Sequence, residues 1–263
     1  MRIIDLFCGI GSFHQASGDC VFACDSDKYV RQIYKQNWGI EPEGSIEDVT
    51  TVPDHDVLCA GFPCQPFSNI GLKLGTDDPR GRLFDHIIRI LKQKRPRGCV
   101  LENVQGLLGT AYFYEIVKEL EKLGYTVYYK VLSADRYGIP QMRKRLFIVG
   151  LLDNLGFEFP PEIETPTLAE FLGKPFVKTC AYTVRCGGRG GTVGEKHNWD
   201  TYRLEDGTDY RLSVDDCMRL QGFDPVGWDW SGVSVSRRMK MLGNTIPVCL
   251  TRAVLGAVKK SLV

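Results

Sequence analysis

The chain of 263 residues lacks any run approaching the roughly 18 consecutive apolar residues of a membrane span, and Asp5 interrupts its only apolar N-terminal run, "MRIIDLF". Neither a membrane anchor nor a signal peptide is expected; a soluble, cytoplasmic chain is. An excess of one charge is also missing. With 33 basic and 32 acidic residues the net charge is +1, so any contact with nucleic acid has to come from a local patch and not from a global field. The local basic runs are "KQKRPR" (92–97) and "RKR" (143–145), and short runs of this kind ordinarily mark a solvated face. The ten cysteines and four histidines show no paired metal-ligand spacing, since Cys20 and Cys24 have no matching pair. No metal site is expected, and the thiols read as free in a reducing compartment. There is no internal repeat and no low-complexity tract.

Apolar material, by contrast, is ample at 43% of residues, enough for one large domain that needs no covalent staples. Through the first 150 residues, strand-length apolar runs ("IIDLF", "CVFACD", "DVLCAG", "CVLENV", "RLFIVG") alternate with segments of helical period. That is the pattern of an α/β fold with a parallel sheet and crossover helices. In "LFDHIIRILKQK", Leu83, Ile87, Ile88 and Leu91 share one helical face, and "YEIVKELEKLGY" ends at Gly124, a helix stop. After Gly150 the chain turns rich in proline and acid, then in glycine ("RCGGRGGTVGEKHNWDTYRLEDG"). Such an insert, about 55 residues long, is too small to bury much core and is expected to lean on the sheet. Regular structure resumes at Arg211, with Ser213 and Asp216 spaced as a capping box, then "VSRRMKML", a "GNTIP" turn and a helix from Val248. The expected organisation is a catalytic unit over 1–154, an insert over 155–210 and a return to the first unit over 211–263.

Chemistry concentrates at the ends of the expected strands. Gly9 and Gly11 in "DLFCGIGSF" allow a tight turn against a ligand, and Asp25, about 20 residues beyond the first strand, is placed to accept bonds from two ribose hydroxyls. In "GFPCQPFSNIG", Pro63 and Pro66 restrain the backbone around Cys64, which suits a thiolate that must meet a carbon atom at a fixed angle. Glu102 in "ENV" closes the next strand. A thiol and a carboxyl facing one crevice suit addition of the thiolate to an electron-poor ring while the carboxyl holds or protonates a ring nitrogen.

In order and approximate spacing, "DLFCGIGSF", "GFPCQPFS", "ENV", "QMRKR", "RLSVDDCMRLQGF" and "GNTIP" resemble the DNA (cytosine-5)-methyltransferase family, of bacterial or phage type, over nearly the whole chain outside 155–205. The resemblance implies a Rossmann-like, doubly wound methyltransferase fold. The cofactor it implies is S-adenosyl-L-methionine, leaving S-adenosyl-L-homocysteine as product, and the substrate is a cytosine flipped out of double-stranded DNA. Cys64 then adds to carbon 6, Glu102 contacts ring nitrogen 3 and the exocyclic amine, and Asn103 supports the turn. Of the two arginines in "QMRKR", Arg145 is placed near Asp5 and Arg143 near the substrate cytosine. Phe7, Gly9, Gly11, Asp25, Ile46, Leu83 and Asn244 fall where the family contacts cofactor. The chain departs from the family at Ser26, where relatives often carry an aromatic residue over the adenine, and at Ser45, where an Asp usually meets the adenine amine; the expectation is that the adenine is held less tightly or that Glu47 or Asp48 substitutes after a register shift. Residues 155–210 become the target recognition region, with Arg185 and Arg189 donating to guanine edges. Gln65 and Ser68 follow Cys64 in the DNA-binding loop, with Gly71 and Gly75 as its hinges. The resemblance further implies a monomer and leaves room for a cognate restriction endonuclease in the host. Two alternatives remain at this stage: a relative that methylates tRNA, and a catalytically silent DNA-binding module.

Overall fold

The computed structural model describes residues 1–63, 82–153 and 155–263. Cys64, Gln65, Ser68, Gly71 and Gly75 lie outside the described residues. Six strands form one sheet: β1 (Ile3–Leu6), β2 (Cys20–Cys24), β3 (Val57–Ala60), β4 (Gly98–Val104), β5 (Thr126–Ser133) and β6 (Lys144–Leu151), in the order β2-β1-β3-β4-β6-β5. The first four run parallel; β6 is antiparallel to both β4 and β5.

Successive strand side chains point to opposite faces, so continuous apolar strands supply two cores. Ile3, Val57, Cys59, Val100, Phe147 and Val149 join the cluster on one face. Ile4, Leu6, Leu58, Ala60, Leu101, Leu146 and Ile148 join the cluster on the other. The second face is covered by α3 (Arg82–Lys94) and α4 (Ala111–Lys122) through Ile87, Ile88, Leu91, Phe113, Ile116 and Leu120. The first is covered by α1 (Ser12–Ser17), α2 (Lys28–Trp38), α6 (Val214–Gln221), α7 (Val235–Asn244) and α8 (Val248–Ser261). The sheet is therefore doubly wound, as the alternating pattern predicts.

The helix stops and starts follow local chemistry. Gly124 has φ +88 directly after the C-cap of α4. At α6, Ser213 Oγ accepts from the Asp216 N–H while Asp216 Oδ2 accepts from the Ser213 N–H at 2.8 Å, a complete capping box. Helices α7 and α8 together pass a length and hydropathy test for a membrane span, but 67% of that window is buried inside the protein and the helix is broken at 245–247. It is core material of this fold.

The region 155–210 builds no core of its own. It contributes a short helix, α5 (Leu168–Leu172), and most of a hairpin, β7 (Thr201–Arg203) and β8 (Asp209–Arg211). Its apolar residues Phe157, Leu168, Phe176, Val184, Trp199 and Tyr202 sit in the same cluster as the sheet residues, so the insert leans on the sheet as expected.

Candidate active site

At the carboxyl ends of β1, β2, β3 and β4 lies a cleft of about 620 Å³. That end of an open parallel sheet is where diverging loops leave room for a ligand. The structure brings Phe7, Gly9, Asp25, Glu102, Arg143, Arg145 and Asn244 to its walls, together with Gly61, Phe62 and Pro63, the last described residues before Cys64.

Glu102 is 7% exposed, and its Oε1 lies 2.8 Å from Arg145 Nε. Burial raises its pKa above the ordinary carboxylate range, opposed by the charges of Arg145 and Arg143. A Cβ at Gly61 would press on Ile246 Cδ1 at 3.2 Å and make ordinary contact with Glu102 Oε2 at 3.5 Å. Next to it, Asn103 Nδ2 donates to the Phe62 carbonyl at 3.0 Å, and its Oδ1 accepts from the Val104 N–H at 2.9 Å. Asn103 thereby ties the end of β4 to the loop that leads into Cys64.

The expected approach of Arg145 to Asp5 is not observed, since Arg145 is held by Glu102 instead. Asp5 is 1% exposed, its Oδ2 has no hydrogen-bond partner among the described residues, and burial with Asp25 nearby raises its pKa well above the usual value. Arg143 is held by two backbone carbonyls. It is 2% exposed, donating from Nη1 to the Val184 carbonyl and from Nη2 to the Gly243 carbonyl, each at 2.8 Å. Its Nε has no partner among the described residues, and burial lowers its pKa to about 9. Gln141 continues the clasp, accepting from the Val184 N–H at 3.0 Å and donating to the Leu220 carbonyl at 2.6 Å.

On the opposite side, Gly9 has φ +52 and a Cβ there would meet nothing within 4 Å, so the missing side chain leaves the cleft open. Gly11 does not line the cleft among the described residues. It has φ +93, and a Cβ would overlap the indole of Trp38, whose Nε1 donates to the Ile10 carbonyl at 3.0 Å. Its role is the turn and the packing of that ring. Asp25 accepts from the Gly9 N–H at 3.1 Å and from the Asp27 N–H at 2.9 Å, which leaves lone pairs on both oxygens. Burial raises its pKa, against those two backbone donors.

Ile46 is 2% exposed and packs in the hydrophobic cluster beneath the sheet, and Leu83 packs partly buried against that cluster; neither lines the cleft among the described residues. Glu47 and Asp48 are exposed and do not line it either. Of the two recognition arginines, Arg189 is spent within the protein: Nε lies 2.9 Å from Oδ2 of Asp200, which is fully buried, and Nη2 donates to the Leu212 carbonyl at 2.6 Å. Arg185 is exposed beside Gly243, where a Cβ would overlap the backbone of Arg185 and Cys186.

Sequence reasoning missed Cys186, whose Sγ donates to Asn244 Oδ1 at 3.1 Å, and also Arg237, Lys240 and Met241. The last three had a legible signal. Arg237, Lys240, Met241 and Asn244 are spaced i, i+3, i+4 and i+7, one face of α7, and that face fronts the cleft. Among the described residues, no cluster of three or more His, Cys, Asp or Glu side chains could hold a metal ion.

The site suits S-adenosylmethionine: an open glycine turn, a half-buried carboxylate with free lone pairs, and Phe7 held at φ +56 against the cleft. Comparison with known proteins points the same way. Residues 1–181 match the family model described as C-5 cytosine-specific DNA methylase. Type II methyltransferase M.HaeII of Haemophilus aegyptius is 48% identical over 171 residues, covering 62% of this chain and 54% of that protein. Type II methyltransferase M.BsuFI of Bacillus subtilis is 36% identical across 100% of this chain and 73% of its own length. The chain thus spans about half the length of M.HaeII and of M.NgoBI from Neisseria gonorrhoeae. Among solved structures, the S. pombe Dnmt2 methyltransferase superposes with a TM-score of 0.83 at 19% identity, covering 100% of this chain and 99% of that one. The Entamoeba histolytica methyltransferase EhMeth gives 0.79 at 17% identity, covering 100% and 99%. At these identities the likeness is one of fold.

Proposed function

Because the chain belongs to the C-5 cytosine-specific DNA methylase family, we propose that it methylates carbon 5 of a cytosine turned out of duplex DNA. The observation that carries this reading is the buried, Arg145-paired Glu102, which faces the cleft beside the loop that leads into Cys64. A cytosine within the stack cannot be approached from its face, so the base is extruded into the cleft at a cost of a few kcal/mol. S-adenosylmethionine, held by Phe7, Gly9, Asp25 and Asn244, supplies an electrophilic methyl group.

Cys64 adds to carbon 6 of the ring, which makes carbon 5 nucleophilic; loss of the carbon-5 proton later expels the thiolate. Glu102, biased by burial toward its protonated form, donates to ring nitrogen 3 while negative charge develops there. Arg145 fixes the carboxyl's orientation. Arg143 and Gln141 clasp the start of the recognition segment to the catalytic floor, with Arg143 acting as a positioning residue. Residues 155–210 read the target, and the exposed Arg185 is the side chain best placed to reach a base edge. The enzyme works as a monomer where its DNA is, in the cytoplasm of a bacterial or phage-infected cell, alongside a cognate restriction endonuclease where the host carries one.

The test supplies the full chain with methyl-labelled S-adenosylmethionine and either genomic duplex DNA or tRNA, followed by nucleoside mass spectrometry. Label in 5-methyldeoxycytidine supports the reading. Label in tRNA alone, or in neither nucleic acid, rejects it.

A further inference from the structure

The cleft is also lined by residues to which the proposed chemistry assigns nothing. Ser26, Asp27 and Val30 follow Asp25 in the chain, and Arg237 comes from α7. Ser26 and Asp27 follow Asp25 directly in the chain and line the same cleft, so the base of a ribose held by Asp25 has this wall within reach. Ser26 is too small to cover a ring. Asp27 is already committed as the N-cap of α2, its Oδ1 accepting from the Tyr29 N–H at 2.9 Å.

Arg237 is differently disposed. Its guanidinium carbon stands 3.8 Å from the centroid of the Tyr29 ring, a stacking distance, while Lys28 Nζ lies 5.1 Å from the same centroid. Among the described residues Arg237 has no ion-pair partner. Arg237 lines the cleft and Tyr29 does not, so the aromatic ring backs the guanidinium and the guanidinium forms the wall. The link between α2 and the loop ahead of α7 does not depend on this contact. Asn37 Oδ1 accepts from the Asp229 N–H at 2.8 Å, and Gln32 Nε2 donates to the Ser231 carbonyl at 2.9 Å.

A guanidinium is flat, weakly hydrated and stacks on aromatic faces, which an ammonium group does not reproduce. We propose that Arg237, held flat by Tyr29, is the stacking surface for the adenine ring of S-adenosylmethionine, doing from α7 what Ser26 cannot do from the end of β2. This rests on the methyltransferase reading above. It makes Arg237 a binding residue for the cofactor's base, and Tyr29 a positioning residue that acts through it.

The test is calorimetric titration of the full chain with S-adenosylhomocysteine, which binds without reacting, alongside the melting temperature of each ligand-free variant. Arg237→Ala and Arg237→Lys should both weaken binding by roughly three- to thirtyfold, the span of a cation–π contact from exposed to desolvated. Tyr29→Ala should weaken it by less. The ligand-free melting temperatures of the Arg237 variants should stay at the wild-type value. Adding Ser26→Trp to Arg237→Ala should recover affinity, because an aromatic ring then covers the base from the other wall. Wild-type affinity in Arg237→Ala overturns the proposal, and wild-type affinity in Arg237→Lys shows that charge and not the flat face matters, which overturns it equally. If Arg237→Ala melts early, failure of Ser26→Trp to restore binding in that background counts against stacking. A wild-type chain that binds no S-adenosylhomocysteine overturns the methyltransferase reading itself, and this inference with it.

Discussion

Arg145 and Glu102 meet across the β4–β6 pair as diagonal neighbours: the register sets Glu102 opposite Phe147 and Arg145 opposite Val104, yet Arg145 Nε reaches Glu102 Oε1 at 2.8 Å. Gln141 and Arg143 precede β6, and Arg145 lies at its start. They engage in turn Leu220 with Val184, Val184 with Gly243, and Glu102.

The charge of Arg145 lowers the pKa of Glu102, while burial raises it by more. Replacing Arg145 by Met removes the lowering influence, so Glu102 keeps its proton to higher pH. The alkaline limb of kcat/KM that reports this proton should move upward in pH in Arg145→Met and disappear in Glu102→Gln. Turnover of Glu102→Gln should fall by roughly two to four orders of magnitude, the usual contribution of a positioned acid. A limb that stays in place or moves downward contradicts this assignment.

Asp5 is a buried acid with one oxygen unpartnered among the described residues, and its folded-state pKa is raised. The folded chain therefore binds a proton that the unfolded chain releases above about pH 4, and the stability contributed by this group is lost as pH rises. Asp5→Asn carries no such dependence. Its melting temperature relative to wild type should rise between about pH 5 and about pH 8, the range over which the unfolded carboxyl is ionised. A gap that is constant with pH, or that shrinks, would show that Asp5 is ionised in the folded protein.

At Gly243 the backbone of 185–186 passes so close that no side chain fits. Gly243→Ala should destabilise the chain by about 1–3 kcal/mol through overpacking. It should also open the recognition segment near 184–190 to limited proteolysis ahead of the rest of the fold. Unchanged melting and cleavage would mean that this contact is not held in solution.

The two recognition arginines should separate cleanly. Arg189→Ala leaves the fully buried Asp200 with Arg211 Nε at 3.8 Å as its remaining cation, and should cost about 2 kcal/mol of stability, the scale of a lost hydrogen bond to a charged group. Arg185→Ala should leave melting unchanged and cost about 1–3 kcal/mol in discrimination at one base of the target, the worth of a bidentate contact. The reverse outcome would return Arg189 to the DNA.

The alternation of continuous apolar strands with helical faces was readable because each strand feeds two cores, and β1, β2, β3, β4 and β6 all carry such runs. Strand β5 was not, because as an edge strand it is half exposed and "TVYYKVLS" has no clean alternation. The site was legible where a residue type is bound to local geometry, as at Gly9, Asp25 and Glu102. It was not legible where tertiary contact decides the partner. Nothing in "QMRKR" tells which arginine meets a carboxylate and which meets carbonyls 41 and 100 residues away. Nor does "RCGGRGG" show that Arg189 turns inward onto Asp200. The cleft face of α7 was readable from its spacing, but only once a cleft was there for it to front.

The central claim is that Cys64 becomes covalently joined to a target cytosine in this cleft. Its most direct test incubates the chain and S-adenosylmethionine with duplex DNA in which 5-fluorocytosine replaces cytosine throughout, followed by denaturing electrophoresis and mass analysis. Fluorine cannot leave as a proton does, so the wild-type chain should remain attached to the DNA in a complex that requires S-adenosylmethionine, and Cys64→Ser should yield none. A complex that persists in Cys64→Ser, or a wild-type chain that methylates ordinary DNA yet never traps the fluorinated duplex, would contradict the account.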